Sequence, residues 1–405
     1  MTLKHKIVSE ERITTINDYL KSHPEFKDLN LLKGISFPKS SKDQKIIPSI
    51  QLATLEDAKD ISQIFKEVYL ETYSYKELED ENEIHRMIID PNFYWIVFKI
   101  NSTMIIGCIG FQVDLDNKSG SFHGLVFKKK YQGLTGLVDL LIACLYSILK
   151  IYEKKVLVWS CEIRSAHTKS QYSARVLNLQ PIAFLPNKDF FFNREESEIL
   201  YVLYDEDVLT QYRSPEIPVI PHQVLNSYAY SLKKYHIGNP IIDNSSNLNF
   251  NKKEIDKIKK RFFSRAEKDK YGNESVSFSL KDSPSNLRFF YNSSISNIEH
   301  TTYQASSKEE LYVFLEELMN FIKKNNIRYC ECFVSAYSSV CQSIFLNVGF
   351  EAFGYIPAFK YDKKEQNFKD QVVFVYYQGD INKENLRMLL EPKELVQSIK
   401  PLWEF

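Results

Sequence analysis

The feature that most restricts what this chain can fold into is an echo between two stretches 171 positions apart. That shift carries Gln171 onto Gln342, Pro186 onto Pro357, Cys161 onto Cys332 and Leu140 onto Leu311. It also sets Phe184 against Tyr355 and Leu179 against Phe350. In both stretches the apolar spacing reads as long helix, strand, short helix, then a pair of strands. One order repeated at one offset is the mark of a duplicated supersecondary plan, and it confines the chain to two similar α/β units. The 405 residues leave room for two units of ordinary size plus extensions.

The first unit is expected over residues 47–210, behind an N-terminal extension, 1–46. In the extension Glu10 to Leu20 suit a short helix, and Pro24, Pro38 and Ser40-Ser41 interrupt regular structure after it. Ser49 to Ala53 reads as a strand. Thr54-Leu55-Glu56-Asp57 opens a helix as a capping box, and Ala58, Ile61, Ile64, Phe65, Val68 and Tyr69 form its apolar face. A second helical segment lies near Glu81 to Ile89. Three strands follow, Phe93 to Ile100, Met104 to Val113 and Gly120 to Phe127, joined by hairpin-like turns at Asn101-Ser102 and Asp114 to Ser119. A basic, glycine-containing loop, Lys128 to Gly136, leads into a helix marked by Leu137, Leu140, Leu141, Cys144, Leu145 and Ile148. Then come a strand at Val156 to Ile163, a short helix at Thr168 to Leu177, and strands near Ile182 to Leu185 and Ile199 to Tyr204.

The stretch 205–250 reads as a connector, with a linker at 211–224 and prolines at 215, 218, 221 and 240. The second unit is expected over 225–405. It begins with a helix at Lys252 to Phe263. Its long helix, Lys308 to Lys324, matches Leu137 to Glu153 and carries the stripe Leu311, Phe314, Leu315, Leu318 and Ile322. The segment before that helix differs from the first unit: Ser306-Ser307-Lys308-Glu309 is a capping box, and no glycine stands between Gly272 and Gly349.

Charge narrows the partners. The 52 basic residues balance the 52 acidic ones, so no overall basic character draws the chain to nucleic acid. No apolar run reaches the roughly 20 residues of a membrane helix, and Met1 to Ile50 lack the apolar core of a secretory signal. Of the six cysteines only Cys330 and Cys332 are close. Two apart on a strand, they share a face and have two readings, a pair of metal ligands or two buried reduced thiols. No second pair or nearby histidine completes a tetrahedral site, and Ile327, Phe333 and Val334 beside them favour thiols. No metal is expected, and a reducing cytoplasmic setting follows.

The order strand, helix, helix, three strands, loop, helix, strand, helix, strand, strand resembles the GNAT superfamily of acyl-CoA N-acyltransferases. The resemblance spans residues 47–210 well and 225–385 more faintly. It implies two GNAT-like α/β units, each a mixed, mostly antiparallel sheet flanked by helices. It also implies a sheet that parts between its fourth and fifth strands, with the acyl-CoA pantetheine arm in the gap. The loop after the fourth strand and the next helix start then cradle the pyrophosphate. Here that segment is Leu125-Val126-Phe127-Lys128-Lys129-Lys130-Tyr131-Gln132-Gly133-Leu134-Thr135-Gly136-Leu137. The family pattern is a basic residue or Gln, two residues, Gly, one residue, Gly or Ala. From Gln132, Thr135 and Leu137 stand where the glycines belong; from Lys130, Gly133 fits and Thr135 departs. Backbone N–H groups at a helix start favour an anion, Gly133 and Gly136 permit close approach, and the three lysines add charge. The resemblance assigns acetyl-CoA to Leu125, Val126, Phe127, Gln132, Gly133, Leu134, Thr135, Gly136 and Leu137. The family's Gly-Phe pair after its short helix is present as Gly349-Phe350 and replaced by Asn178-Leu179 in the first unit, where Asn also tolerates a left-handed helix end. The second unit thus reads as a degenerate copy without the cofactor loop.

Acyl transfer to an amine requires that the ammonium lose a proton, the thioester carbonyl be polarised and the leaving thiolate gain a proton. The family's usual acid, a Tyr four residues before the Gly of Gly-Phe, falls on Ala174. The candidates nearby are Glu162 and His167, at and after the end of the fifth strand, and Tyr172 on the short helix. Each has a plain alternative. Glu162 and Arg164 make a solvated rim pair, His167 caps the helix, and Tyr172 packs. His123 is a satisfied sheet residue or faces the cleft. Glu195, Glu196 and Glu198 are expected at the surface, with Glu198 placed to meet a cation. The reading is transfer of an acetyl or other acyl group from acetyl-CoA to a small-molecule or peptide amine, with no nucleic-acid or membrane partner. Two alternatives stand beside it: a tandem-GNAT aminoacyl or long-acyl transferase, and a non-catalytic acyl-CoA sensor or scaffold.

Overall fold

The computed structural model describes residues 15–22, 24, 35–36, 48–101, 103–132, 134, 136–245 and 248–403. The chain is a mixed α/β protein built on a large, mostly antiparallel sheet flanked by helices. Helix α1 (Ile16–Ser22) and strand β1 (Ile35–Ser36) come first, then β2 (Pro48–Leu52), α2 (Ala58–Tyr69) and α3 (Glu81–Ile89). The meander β3 (Phe93–Ile100), β4 (Met104–Asp114) and β5 (Ser119–Phe127) leads to α4 (Leu137–Ile151). β6 (Val158–Arg164), α5 (Thr168–Val176), β7 (Gln180–Phe191) and β8 (Arg194–Tyr204) complete the first unit. A short ribbon, β9 (Val219–Ile220) against β10 (Ile241–Ile242), brackets α6 (Leu225–Tyr235). The second unit contains α7 (Lys252–Arg261), β11 (Phe262–Lys268), β12 (Glu274–Leu280), β13 (Asn286–Asn292) and β14 (Asn297–Gln304). After them come α8 (Lys308–Lys324), β15 (Tyr329–Ser335), α9 (Ser339–Asn347), β16 (Glu351–Asp362), β17 (Asn367–Tyr377) and α10 (Leu390–Ile399).

The offset seen in single residues holds for whole elements. Adding 171 to the bounds of β6, α5 and β7 gives those of β15, α9 and β16 without a residue of drift. The strand order is β1-β2-β3-β4-β5-β6-β8-β7-β16-β17-β15-β14-β13-β12-β11, a 15-stranded sheet. Outward from its middle it reads last-but-one strand, last strand, then the rest in reverse, on both sides. The two halves of the sheet meet where Ala183 of β7 pairs with Gly354 of β16. Ile182, Phe184, Phe353, Ile356, Val373 and Leu395 pack into one core across that seam.

The helices form for the reasons the sequence offers. α4 buries Leu137, Leu140, Leu141, Cys144, Leu145 and Ile148. α5 ends on Asn178 at φ +64°, and α9 on Gly349 at φ +102°, so Asn takes the left-handed position that Gly takes in the repeat. The cap of α8 lies one residue beyond the expected start. Ser307 accepts from the Glu310 N–H at 3.1 Å, and the Glu310 carboxylate returns to the Ser306 N–H at 3.0 Å, because Glu310 rather than Glu309 occupies the third helical position. α1 overlaps the expected Glu10 to Leu20 helix; residues before 15 lie outside the described ones. Its Tyr19 hydroxyl donates to the Asp139 carbonyl at 2.9 Å, so this part of the extension docks on α4.

Two differences from the sequence reading stand out. β11 and β12 form a direct hairpin through Gly272 at φ +90°, so the second unit has no counterpart of α2 and α3 between its first strands. The stretch 205–250 is also more than a connector, because it carries α6 and the ribbon. The Val219 N–H donates to the Ala336 carbonyl at 2.9 Å, and the Gln342 side chain donates to Val219 and Ser335 carbonyls at 3.1 and 3.0 Å. The first unit is treated in the same way by the C-terminal tail. The Arg387 N–H donates to the Ser165 carbonyl at 3.0 Å, and Gln171 donates to Ser165 and Arg387 carbonyls at 3.2 and 3.1 Å. Each unit's tail is therefore seated in the other unit.

Candidate functional site

The strands β5 and β6 run parallel and pair from Ser119 with Val158 to Phe122 with Cys161. Beyond that point β5 continues to Phe127 and β6 to Arg164 with no pairing between them. A bulge contributes to the divergence: the β4–β5 register slips between Cys108 and Gly110, and Gly124 sits at φ +62°, a shape glycine adopts freely. β14 and β15 likewise pair only as far as Thr301 with Cys332.

The basic loop lies at the open end of β5. Lys129–Tyr131 form a 3-10 turn, and the Gln132 amide folds back to donate to the Phe127 carbonyl at 2.8 Å. Gly136, at φ +87°, sets the entry angle of α4. Gly133 and Thr135 lie outside the described residues. Lys169, at the start of α5, reaches across to the Gln132 carbonyl at 3.2 Å, a fourth cation that the loop motif did not reveal. Lys128, Lys129 and Lys130 line a cavity of about 340 Å³ with Glu67, Val68 and Tyr131. Leu125, Val126 and Phe127 end strand β5, with Val126 buried, and Leu134 and Leu137 pack on the first unit's core.

At the facing end of β6 Glu162 stays exposed, as a rim residue would, whereas Arg164 is half-buried and paired elsewhere. The Arg164 guanidinium grips Glu196 with two bonds, at 2.8 and 2.7 Å, and lies 3.7 Å over the Phe191 ring. The Glu162 carboxylate is held by Lys188 of β7 at 2.6 Å, and the same ammonium contacts Glu331 of β15 at 3.1 Å. Burial opposes the Lys188 charge, but Glu162 and Glu331 outweigh it and hold its pKa well above the ordinary value. Tyr329 adds a hydrogen bond to Glu331 at 2.7 Å. One ammonium thus ties the first unit's candidate base to the second unit.

Further acids surround this pair. Glu196 and Glu198 are 6% and 5% exposed, against the expectation that they face solvent, because β8 lies inside the sheet between β6 and β7. Burial, then Asp189 and Glu162, push Glu198 well above the carboxylate range. Asp189 is pushed up to about 8, by burial first and by Glu299 second. The Tyr75 hydroxyl stands 3.3 Å from both the Asp189 and Glu299 carboxylates. Tyr69 and Tyr73, stacked at 4.3 Å, close this side, with Tyr69 5.9 Å from Phe191.

Asp189 carries a pH consequence. Its pKa in the folded chain lies above the ordinary ~3.9 of an unfolded Asp, so folding favours its protonated form. That contribution is complete below pH ~4 and is lost as pH rises through about 8. The slope for one proton is at most about 1.4 kcal/mol per pH unit. Urea midpoints taken between pH 5 and 8 should fall less steeply in Asp189→Asn than in the parent, and parallel slopes would contradict this account.

The remaining candidates are dispersed. His167 is the residue before α5 and bonds nothing there as a cap; its ring stays accessible, yet close packing and then the Arg164 charge lower its pKa. Tyr172 packs on the first unit's core, with the Arg175 guanidinium 5.3 Å from its ring. His123 stands 4.6 Å from Phe93 with its pKa lowered by burial to about 4, so it is neutral in the sheet. Cys330 and Cys332 are fully buried free thiols. Lys188, Asp189, Glu299 and Glu331 were missed by the motif, although Glu331 is a lone charge in the otherwise apolar β15.

No family model matches the chain, and no curated protein matches it. Among solved structures it is similar over about two fifths of its length to several acetyltransferases. One is the ribosomal-protein-S5-alanine acetyltransferase from Vibrio fischeri, at 14% identity, covering 43% of this chain and 98% of that chain with a TM-score of 0.34. Another is the spermidine N-acetyltransferase from Vibrio cholerae, at 13% identity over 40% and 95% with a TM-score of 0.34. A third is the microcin C7 self-immunity acetyltransferase MccE, solved with acetyl-CoA and AMP, at 14% identity over 42% and 98% with a TM-score of 0.33. Among the described residues no helix is long and apolar enough to cross a membrane.

Proposed function

We propose that this protein is an N-acyltransferase of the GNAT kind, moving an acetyl or other acyl group from acyl-CoA to an amine. In this reading residues 47–210 form the catalytic unit and 225–405 a degenerate copy. The observation that carries it is the parting of β5 from β6 after Phe122 and Cys161, directly beside a loop with three lysines that Lys169 of α5 joins. The freed edge of β5 offers unpaired backbone groups to an extended pantetheine arm, and the loop with the start of α4 faces its phosphates. The amine nitrogen attacks the thioester carbonyl, the C–S bond breaks and the thiolate takes a proton. Glu162, His167 and Tyr172 are the candidates for these proton transfers, with Glu162 positioned by Lys188. A binding-only sensor is the second reading, supported by the ion pair that already occupies Glu162.

Calorimetry with acetyl-CoA should give one site per chain, since Ser307 and Glu310 already satisfy the start of α8. Replacing Lys129, Lys130 and Lys169 together by Ala should weaken binding by at least about tenfold. Turnover measured over polyamines, amino acids, aminoglycosides and peptides separates the enzyme from the sensor. A stoichiometry of two, or full turnover in a Glu162→Ala, His167→Ala, Tyr172→Ala chain, would move the site elsewhere.

A further inference from the structure

A second cavity, of about 230 Å³, lies toward the C-terminal end of α5, where β8 meets the start of α10. Four polar atoms on its lining residues are buried without any hydrogen-bond partner: Nε and Nη2 of Arg175, the hydroxyl of Tyr201 and Oε2 of Glu391. Tyr201 is 2% exposed. Among the described residues no ion pair joins Arg175 to Glu391, although both line the same space. Buried polar groups without partners are destabilising and uncommon, and here a cation edge, a phenol and a carboxylate oxygen are left open around one void. The surroundings are held in place. The Gln171 side chain donates to the Arg387 carbonyl and accepts from the Leu389 N–H at 2.9 Å, and Leu179 and Leu389 supply apolar wall.

We propose that this cavity binds a free α-amino acid with an aliphatic side chain. Nε and Nη2 form the edge of a guanidinium that grips a carboxylate with two parallel bonds, and the Tyr201 hydroxyl donates to the same group. Glu391 Oε2 accepts from the α-ammonium, and the side chain lies against Leu179 and Leu389. The void is smaller than the roughly 300 Å³ at which drug-sized pockets begin, which fits a single amino acid. Acyl transfer uses none of these atoms, so this site stands whether or not the acyltransferase reading does. An occupant bonded to both Arg175 and Glu391 fastens the C-terminal arm to α5.

The test is calorimetry on the full chain with L-leucine, and with 4-methylpentanoate and 3-methylbutylamine, which lack its ammonium and its carboxylate. L-leucine should bind at one site, and each analogue at least about tenfold more weakly. Arg175→Met and Glu391→Gln should each weaken binding roughly 10- to 100-fold, the loss of a charge-assisted bond. Tyr201→Phe should also weaken it while leaving the melting temperature of the unliganded chain equal or higher, because it removes an unpaired hydroxyl. The proposal is overturned if L-leucine gives no binding at millimolar concentration, if 4-methylpentanoate binds as tightly, which would mark a plain anion site, or if Tyr201→Phe binds L-leucine like the parent.

Discussion

Replacing Gly354 by alanine is expected to break the sheet at its centre. An added Cβ would overlap the Ala183 side chain and come within 2.8 Å of the Ala183 Cα and the Ile182 carbonyl. Both of the latter belong to backbone that cannot swing aside, and Gly354 with Ala183 is the pair through which β16 and β7 meet. The cost should stand at or above the roughly 3 kcal/mol upper end of ordinary overpacking. Urea unfolding should show a lower midpoint and, if the halves separate, two transitions in place of one. Ala183→Gly in the same chain should recover part of the loss, since it removes the nearest atom but leaves the backbone contacts. A Gly354→Ala chain as stable as the parent would mean that the strands do not meet here.

Lys188→Met should have an effect of similar size for a different reason. Lys188 and Glu331 are 2% and 3% exposed, and Glu162 shares the same ammonium. Removing the cation leaves the Glu331 carboxylate buried without its partner, while Glu162 reaches solvent, and breaking a buried pair in this way costs about 3–5 kcal/mol. Adding Glu331→Gln should restore part of the stability, because the uncompensated charge goes with it. Thermal denaturation of both variants measures this, and a loss under about 1 kcal/mol in Lys188→Met would show that water already reaches the cluster.

How much of this the sequence disclosed depended on the range of the forces involved. β6, α5 and the start of β7 were legible within two residues because apolar periodicity, the turn at Asn178 and the 171-residue offset are local or repeated signals, but β7 runs six residues past the expected Leu185, and that end carries Lys188 and Asp189. The Cys330 and Cys332 thiols were legible from their apolar neighbours. The cap of α8 was misplaced by one residue because Glu309 and Glu310 offer the same chemistry in adjacent positions. The charged cluster was not legible as a cluster. Lys188, Glu299 and Glu331 lie far apart in the chain and meet only because the two halves of the sheet join, and no periodicity reports which strands become neighbours. The lone charge of Glu331 inside the apolar β15 was the available signal, and it marked that residue as unusual without saying what it touches. The tails of the two units were hardest to read, since Val219 and Arg387 are held by a backbone hydrogen bond and one glutamine side chain each, all from another unit, and nothing local in the sequence reports such contacts.

The exchange of tails has a consequence for how the chain is made. The seat offered by Ser165 and Gln171 is filled by Arg387 and Leu389, some 216 residues later in the case of Gln171 and Arg387. On a ribosome adding about 5–20 residues per second, the first unit therefore waits on the order of 10–40 seconds for the segment that closes it. During that interval the edge of β7 around Ala183 is also unpaired, a strand edge of the kind that invites association with other chains. The second unit has no such delay, because its own closing segment, Val219 with α6, has already emerged. Vectorial synthesis thus gives two similarly ordered units opposite histories: the earlier one is exposed and chaperone-accessible, and the later one is completed as soon as it appears.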